Sequence, residues 1–221
     1  MFFGEIGILL ASGTLVFLFA EGTNAATLRD RGTGEKALNA FFQSVTLRTA
    51  GFNSFELSMM RDGSKLFSTL MMFIGASPAS TGGGVKTTTA AVLFYLMMNV
   101  IRGENEVNAS RRRLSSDTVR RALAVITLFL AVQVTGTLMI SFIEDGRFSL
   151  ADIWFEAASA MGTVGVSAIG TPNLSPAGRA VLLPMMFLGR VGPLTLALAL
   201  SGRISRVRTA SKYPEEKIMI G

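Results

Sequence analysis

Two short motifs carry residue types that can do chemistry. Thr49-Ala50-Gly51-Phe52-Asn53 and Thr163-Val164-Gly165-Val166-Ser167 share a Thr-x-Gly core and stand 114 residues apart. The same spacing aligns Phe41 with Phe155, and Met71-Met72-Phe73-Ile74-Gly75 with Met185-Met186-Phe187-Leu188-Gly189, with no gap. This is an internal duplication. A cation leaving water needs ligands that match its hydration shell, and a ring of backbone carbonyls supplies them without fixed charge. Glycine holds positive φ easily, which turns successive carbonyls toward one axis. Gly51 and Gly165 are therefore candidate carbonyl ligands for potassium. Thr49, Ala50, Phe52, Thr163, Val164 and Val166 complete two candidate ion-filter segments. A lone Thr-x-Gly is far more often just a helix ending in a glycine cap. Its duplication, each time between a short helix and an apolar run, favours the filter.

The elements that must position these motifs read as membrane segments. Of the 221 residues 49% are apolar and 16% charged, and several apolar runs approach the roughly 20 residues that cross a bilayer. The net charge of +6 does not point to nucleic acid, because the basic residues flank apolar runs instead of interleaving with aromatics. Arg102, Arg111, Arg112, Arg113, Arg120 and Arg121 form one cluster, and Arg203, Arg206, Arg208 and Lys212 another. The positive-inside tendency places both in the cytoplasm. The absence of cysteine and histidine removes disulfides, thiolate metal sites and the usual proton relay. The apolar start, Ile6 to Ala20, lacks a basic leader and a small-residue cleavage pattern, and reads as a retained span.

Along the chain, Gly4 to Ala20 is expected to span, Glu21 to Lys36 to form a polar loop, and Ala37 to Leu47 a short amphipathic helix. A half-length helix leading into a glycine motif has the form of a re-entrant loop. Leu66 to Ile74 and Thr87 to Ile101 are two parts of a span interrupted by a glycine-rich break. In the second copy, Ser116 or Asp117 is expected to cap a helix from Thr118, and Ala122 to Ile143 to span. Ser149 to Asp152 reads as a capping box, with Asp152 in place of Glu, opening a short helix to Met161. Arg179 to Leu200 is the final span. The expected fold class is an all-α integral membrane protein of two parallel span/pore-loop/span repeats, with one broken inner helix. Residues 1–101 hold the first repeat, 102–118 a basic cytoplasmic linker, 119–201 the second repeat and 202–221 a cytoplasmic tail.

The break is a candidate gate. Glycines in a membrane helix free backbone groups that lipid cannot satisfy, so the break must face protein or a water-filled cavity. Gly75, Ser80, Thr81, Gly82, Gly83, Gly84 and Lys86 are its candidate gating residues. A kink that only permits close helix packing is the alternative. Gly82 to Thr87 is not a phosphate loop, because Val85 stands where that motif needs glycine before lysine. Arg190 lies in an apolar run, where a cation must find a partner or water. Its counterpart at the offset is Ala76, so Arg190 is expected at the depth of the break, as a gating residue in contact with it. Arg48, beside the first motif, is expected to shape the outer field or to form an ion pair.

These residues resemble the superfamily of Trk, Ktr and plant HKT potassium transporters, most closely the membrane subunit of the bacterial Ktr system. Phe41 to Asn53 is similar to its third pore loop, Ser80 to Thr89 to the middle of its third inner helix, and Thr163 to Ser167, Thr171 to Ser175 and Gly189 to Thr195 to its fourth repeat. The resemblance implies four repeats around one pore, with Gly51 and Gly165 in the third and fourth filter positions. It implies an intramembrane gating loop from Gly75 to Thr89, with Arg190 beside it. It further implies a multi-pass cell-membrane protein that conducts potassium, often with sodium dependence. No covalent cofactor or enzyme activity is expected. The implied partners are membrane lipid, a second copy in a homodimer and a cytosolic nucleotide-binding regulatory subunit, with no nucleic acid. With two repeats the chain matches the C-terminal half of such a subunit, and is read as a fragment of a longer protein. A non-conducting membrane scaffold or regulatory subunit is the competing class.

Overall fold

A computed structural model describes residues 2–75, 82–103, 108–109, 112–192 and 195. Its helices are α1 (Phe2–Glu21), α2 (Thr33–Thr46), α3 (Asp62–Phe73), α4 (Thr87–Ile101), α5 (Ser116–Glu144), α6 (Leu150–Met161) and α7 (Pro176–Val191). A two-residue ribbon, Asn108–Ala109 against Arg112–Arg113, lies in the basic linker, which the sequence predicted to be polar and partly helical. The other regular elements among the described residues are helices. The residues of the tail, 202–221, lie outside those described.

The duplication is visible in the element boundaries. Single 3-10 turns at Leu57–Met59 and Thr171–Asn173, and the starts of α3 and α7, keep the 114-residue spacing. The outer helices do not. α1 ends at Glu21 and α5 at Glu144, so the first copy holds a longer connection before its short helix. Each of these terminal glutamates is buried and does the same job. Glu21 accepts the Arg61 backbone N–H at 3.0 Å, and Glu144 that of Ser175 at 2.8 Å. Arg61 and Ser175 are the N-caps of α3 and α7. A carboxylate thus pins each outer helix to its inner helix where helical N–H groups lack partners.

Local capping explains several boundaries. Ser149 accepts from Asp152 N–H at 3.1 Å, and its hydroxyl donates to the Asp152 carboxylate at 2.7 Å. This is half of the expected box, because the carboxylate also takes Lys65 Nζ at 2.6 Å. Two expectations shift. The cap of α5 is Ser115, whose hydroxyl accepts from Thr118 N–H at 3.3 Å, one residue before the predicted Ser116. α2 begins at Thr33, inside the predicted loop, because polar Glu35 and Lys36 propagate a helix well and hid its first turn.

Among the described residues α5 is the helix long and apolar enough to cross a bilayer unaided, and Ile6–Glu21 and Thr87–Ile101 are shorter apolar helices. α7 matches the predicted final span as far as Val191; Pro193, Leu194 and 196–200 lie outside the described residues.

Two cores tie the copies together. One joins Phe17, Leu47 and Met72 to Phe155 and Val164. The other packs Val85, Phe129 and Ile153 with Leu182 and Met185. Each core mixes residues of both copies, so the repeats fold as one unit that holds the two motifs side by side.

Candidate ion-filter site

Each motif begins where a half-length helix stops. Past Thr46 and Met161 the chain turns through Thr49 (φ 69°) and Gly51 (φ 80°), and through Thr163 (φ 54°) and Gly165 (φ 92°). The sequence led to positive φ at the glycines; the threonines share it, although that region costs a residue with a Cβ about 1–3 kcal/mol. Ala50 and Val164, between them, keep negative φ. Alternating sign turns neighbouring carbonyls toward one side, whereas a regular strand alternates them. Among the described residues nothing donates a hydrogen bond to the carbonyls of Thr49, Ala50, Gly51, Thr163, Val164 or Gly165. Ala50 and Gly165 are exposed and Thr49, Gly51 and Thr163 half-buried, so this row of carbonyls is open to a ligand from outside the described residues.

The copies adjoin. A Cβ placed on Gly51 would lie 2.8 Å from the Val164 carbonyl oxygen, and one on Gly165 would lie 3.7 Å from Gly51 Cα. Residues 114 apart in sequence thus share one site.

Hydroxyls brace both segments from behind. Thr46 Oγ1 accepts from Phe52 N–H at 2.9 Å and donates back to the Phe52 carbonyl. That carbonyl is therefore turned to α2, which leaves those of Thr49, Ala50 and Gly51 as the candidate ligands of the first segment. In the second, Ser159 accepts Val164 N–H on its carbonyl at 2.9 Å and Gly165 N–H on its hydroxyl at 3.2 Å. Glu156, buried, takes the hydroxyls of Ser167 at 2.6 Å and Thr171 at 2.5 Å. The sequence reading missed Thr46, Ser159 and Glu156. A signal existed for two of them, since a hydroxyl residue precedes each motif threonine by three or four positions. Glu156 gave none, because its counterpart is Phe42.

Among the described residues Arg48 has no ion-pair partner. Its guanidinium donates to the carbonyls of Ile74 and Gly75, the latter at 3.3 Å, and touches Met71 Sδ at 3.4 Å. It ties the first segment to the C-terminal end of α3, whose last carbonyls lack helical partners.

The break opens and closes at one point. Gly75 N–H donates to Val85 O at 2.8 Å, and Val85 N–H to Phe73 O at 3.1 Å. Residues 76–81, with Ser80 and Thr81 among them, lie outside the described residues. Gly82 accepts Lys86 Nζ at 2.6 Å, and Gly83 N–H donates to Thr163 Oγ1 at 2.8 Å. A Cβ on Gly75 would fall 2.1 Å from the Gly83 carbonyl, so glycine permits this closure. The Gly189 carbonyl lies against Gly83. Arg190, the next residue along, is exposed. Thr163→Val keeps the side-chain shape but strands Gly83 N–H, a loss of about 1–3 kcal/mol. Amide hydrogen exchange at Gly83 should accelerate by roughly tenfold or more; an unchanged rate would show that the bond does not hold the break.

Two short helices thus end in adjoining runs of carbonyls to which no described residue donates. The model of the family TrkH, described as cation transport protein, matches residues 6–206, and the chain belongs to this family. It is therefore a membrane protein of a transport family and not an enzyme. It is 37% identical over 214 residues to the Ktr system potassium uptake protein B of Vibrio alginolyticus, covering 97% of this chain and 46% of that protein. It is 35% identical over 216 residues to the potassium/sodium uptake protein NtpJ of Enterococcus hirae, covering 97% and 48%. The chain spans about half the length of the curated relatives it matches. The crystal structure of the potassium transporter TrkH from Vibrio parahaemolyticus has the same fold, with a TM-score of 0.71, 18% identity and coverage of 93% of this chain and 44% of that one.

Proposed function

We propose that this chain supplies two of the four quarters of a potassium filter, gated from below by the glycine-rich break. The observation that carries this reading is the adjacency of Gly51 and Gly165 at the meeting of two carbonyl runs to which no described residue donates. A ring of two segments leaves half of an ion's shell to other ligands, so two further segments complete the filter, on the same polypeptide or another. The C-terminal ends of α2 and α6, at Thr46 and Met161, point their partial negative charge toward the same place, which favours a cation there. Arg190 and the break, held to Thr163 through Gly83, control passage.

The reading extends to a membrane homodimer, a cytosolic nucleotide-binding regulatory partner and sodium-dependent uptake, which the sequence resemblance implies; the relatives' names themselves speak of a Ktr system and of potassium/sodium uptake. On this reading the basic linker and the C-terminus are cytoplasmic.

The test is rubidium uptake in a bacterium that lacks its own potassium uptake systems and expresses the natural gene. Uptake should saturate, compete with potassium and respond to sodium. Absence of uptake from cells whose membranes contain the protein would leave the non-conducting reading. Deleting Ala76 to Gly84 should raise the flux, and an unchanged flux would reduce the break to a packing element.

A further inference from the structure

The first repeat shows how one unit docks on the next. α3 turns Lys65, Thr69 and Met72 toward α6. Lys65 Nζ bonds Asp152 at 2.6 Å, Thr69 shares a cavity wall with Ala158, and the Met72 carbonyl packs on Gly162. Steps of four and three residues put the three on one helix stripe, and all are buried. At the 114-residue offset the stripe on α7 is Arg179, Leu183 and Met186. There it is open: Leu183 is 66% and Met186 43% exposed. Arg179 is exposed and has no ion-pair partner among the described residues. The neighbouring face is buried in both copies, as Ser68 and Met71 or as Leu182 and Met185. Exposure thus belongs to the stripe, not to the helix. Beside it lies a cavity of about 370 Å³, walled by Met186, Thr163 and Gly165. The receiving face is open as well, since Phe41 on α2 is 47% exposed where its counterpart Phe155 is 0%.

We infer that the outward stripe of α7 docks a further repeat of this chain's own kind, whose half-length helix carries an Asp or Glu thirteen residues before its filter glycine, as Asp152 precedes Gly165. That carboxylate pairs with Arg179, as Asp152 pairs with Lys65. The inference rests on the four-quarter reading and names the chemistry of the missing neighbour. A head-to-tail contact repeated between like units closes into a ring when the rotation allows. A second copy of this chain fits less well. Its α2 presents Leu38 at that place, and the nearest acid, Glu35, is engaged by Arg31 at 3.0 Å.

The test places a photo-crosslinking amino acid at Leu183 of the naturally expressed protein, irradiates native membranes and sequences the attached peptide. The expected adduct is a peptide with an Asp or Glu thirteen residues before a glycine, on the same or another polypeptide. Arg179→Glu should lower the adduct yield by roughly tenfold or more, the scale for losing one partner of a hydrogen-bonded interfacial pair. Arg179→Lys should keep the yield, and arginine in place of the partner carboxylate should restore it in Arg179→Glu. Adducts with lipid alone, with α2 of a second copy or with a peptide lacking the acid would overturn the inference, as would an unaffected yield in Arg179→Glu. Crosslinking needs no transport, so a wild-type protein that takes up no rubidium would sink the filter reading while the adduct still decides the interface.

Discussion

Gly51→Ala is expected to lower rubidium uptake by roughly a hundredfold, and Gly165→Ala by roughly tenfold, at unchanged protein levels in the membrane. Both glycines hold positive φ, and a Cβ there costs about 1–3 kcal/mol, near a factor of ten in rate per 1.4 kcal/mol. The two differ in their surroundings. At Gly51 the new Cβ would lie 2.8 Å from the Val164 carbonyl, a backbone atom that cannot swing aside without disturbing the second segment. At Gly165 the nearest atom is 3.7 Å away, so strain acts alone. Thr49 and Thr163 already hold positive φ with side chains, which shows that the fold sustains such strain and that contact sets the order. Wild-type uptake in Gly51→Ala would remove that segment from the ion path, and equal losses in the two variants would contradict the adjacency.

The second large effect is on stability. Glu21 is fully buried and accepts from Asn24 Nδ2 at 2.6 Å, Thr27 Oγ1 at 2.7 Å, Arg61 N–H at 3.0 Å and the Ser64 hydroxyl. Glu21→Leu strands these donors at once, and is expected to destabilise by about 3–5 kcal/mol. Thermal unfolding in detergent should fall by roughly 10 °C, at about 2–4 °C per kcal/mol for a chain of this size. Glu144→Leu should cost less. Its ionic partner Arg147 is about half exposed and rehydrates when the bond at 2.7 Å is lost. Equal melting points for wild type and Glu21→Leu would show that the α1 to α3 junction does not limit stability.

The difference between the copies shows what can be read in one dimension. Element types, the spacing from Phe41 to Gly189 and the location of the break are patterns of apolar runs and glycines, and these follow from local preferences. The extra turn of α2 escaped notice because an exposed helical turn and a polar loop use the same residues, here Glu35 and Lys36. The role of Arg48 escaped for another reason. Its ligands, the Ile74 and Gly75 carbonyls, are backbone groups with no residue-type signature. Ser80 and Thr81 remain candidates on the sequence alone.

By itself the sequence determined that this is a duplicated, helical membrane unit with a Thr-x-Gly motif after each short helix, because hydrophobic run length and glycine placement are local properties of the chain. Tertiary structure alone decided that Gly51 and Gly165 meet, that Thr46, Ser159 and Glu156 brace the motifs, and that the same stripe is sealed on α3 and open on α7. Those facts depend on which surfaces pack together, and a packed surface is a relation between distant segments that no single segment encodes.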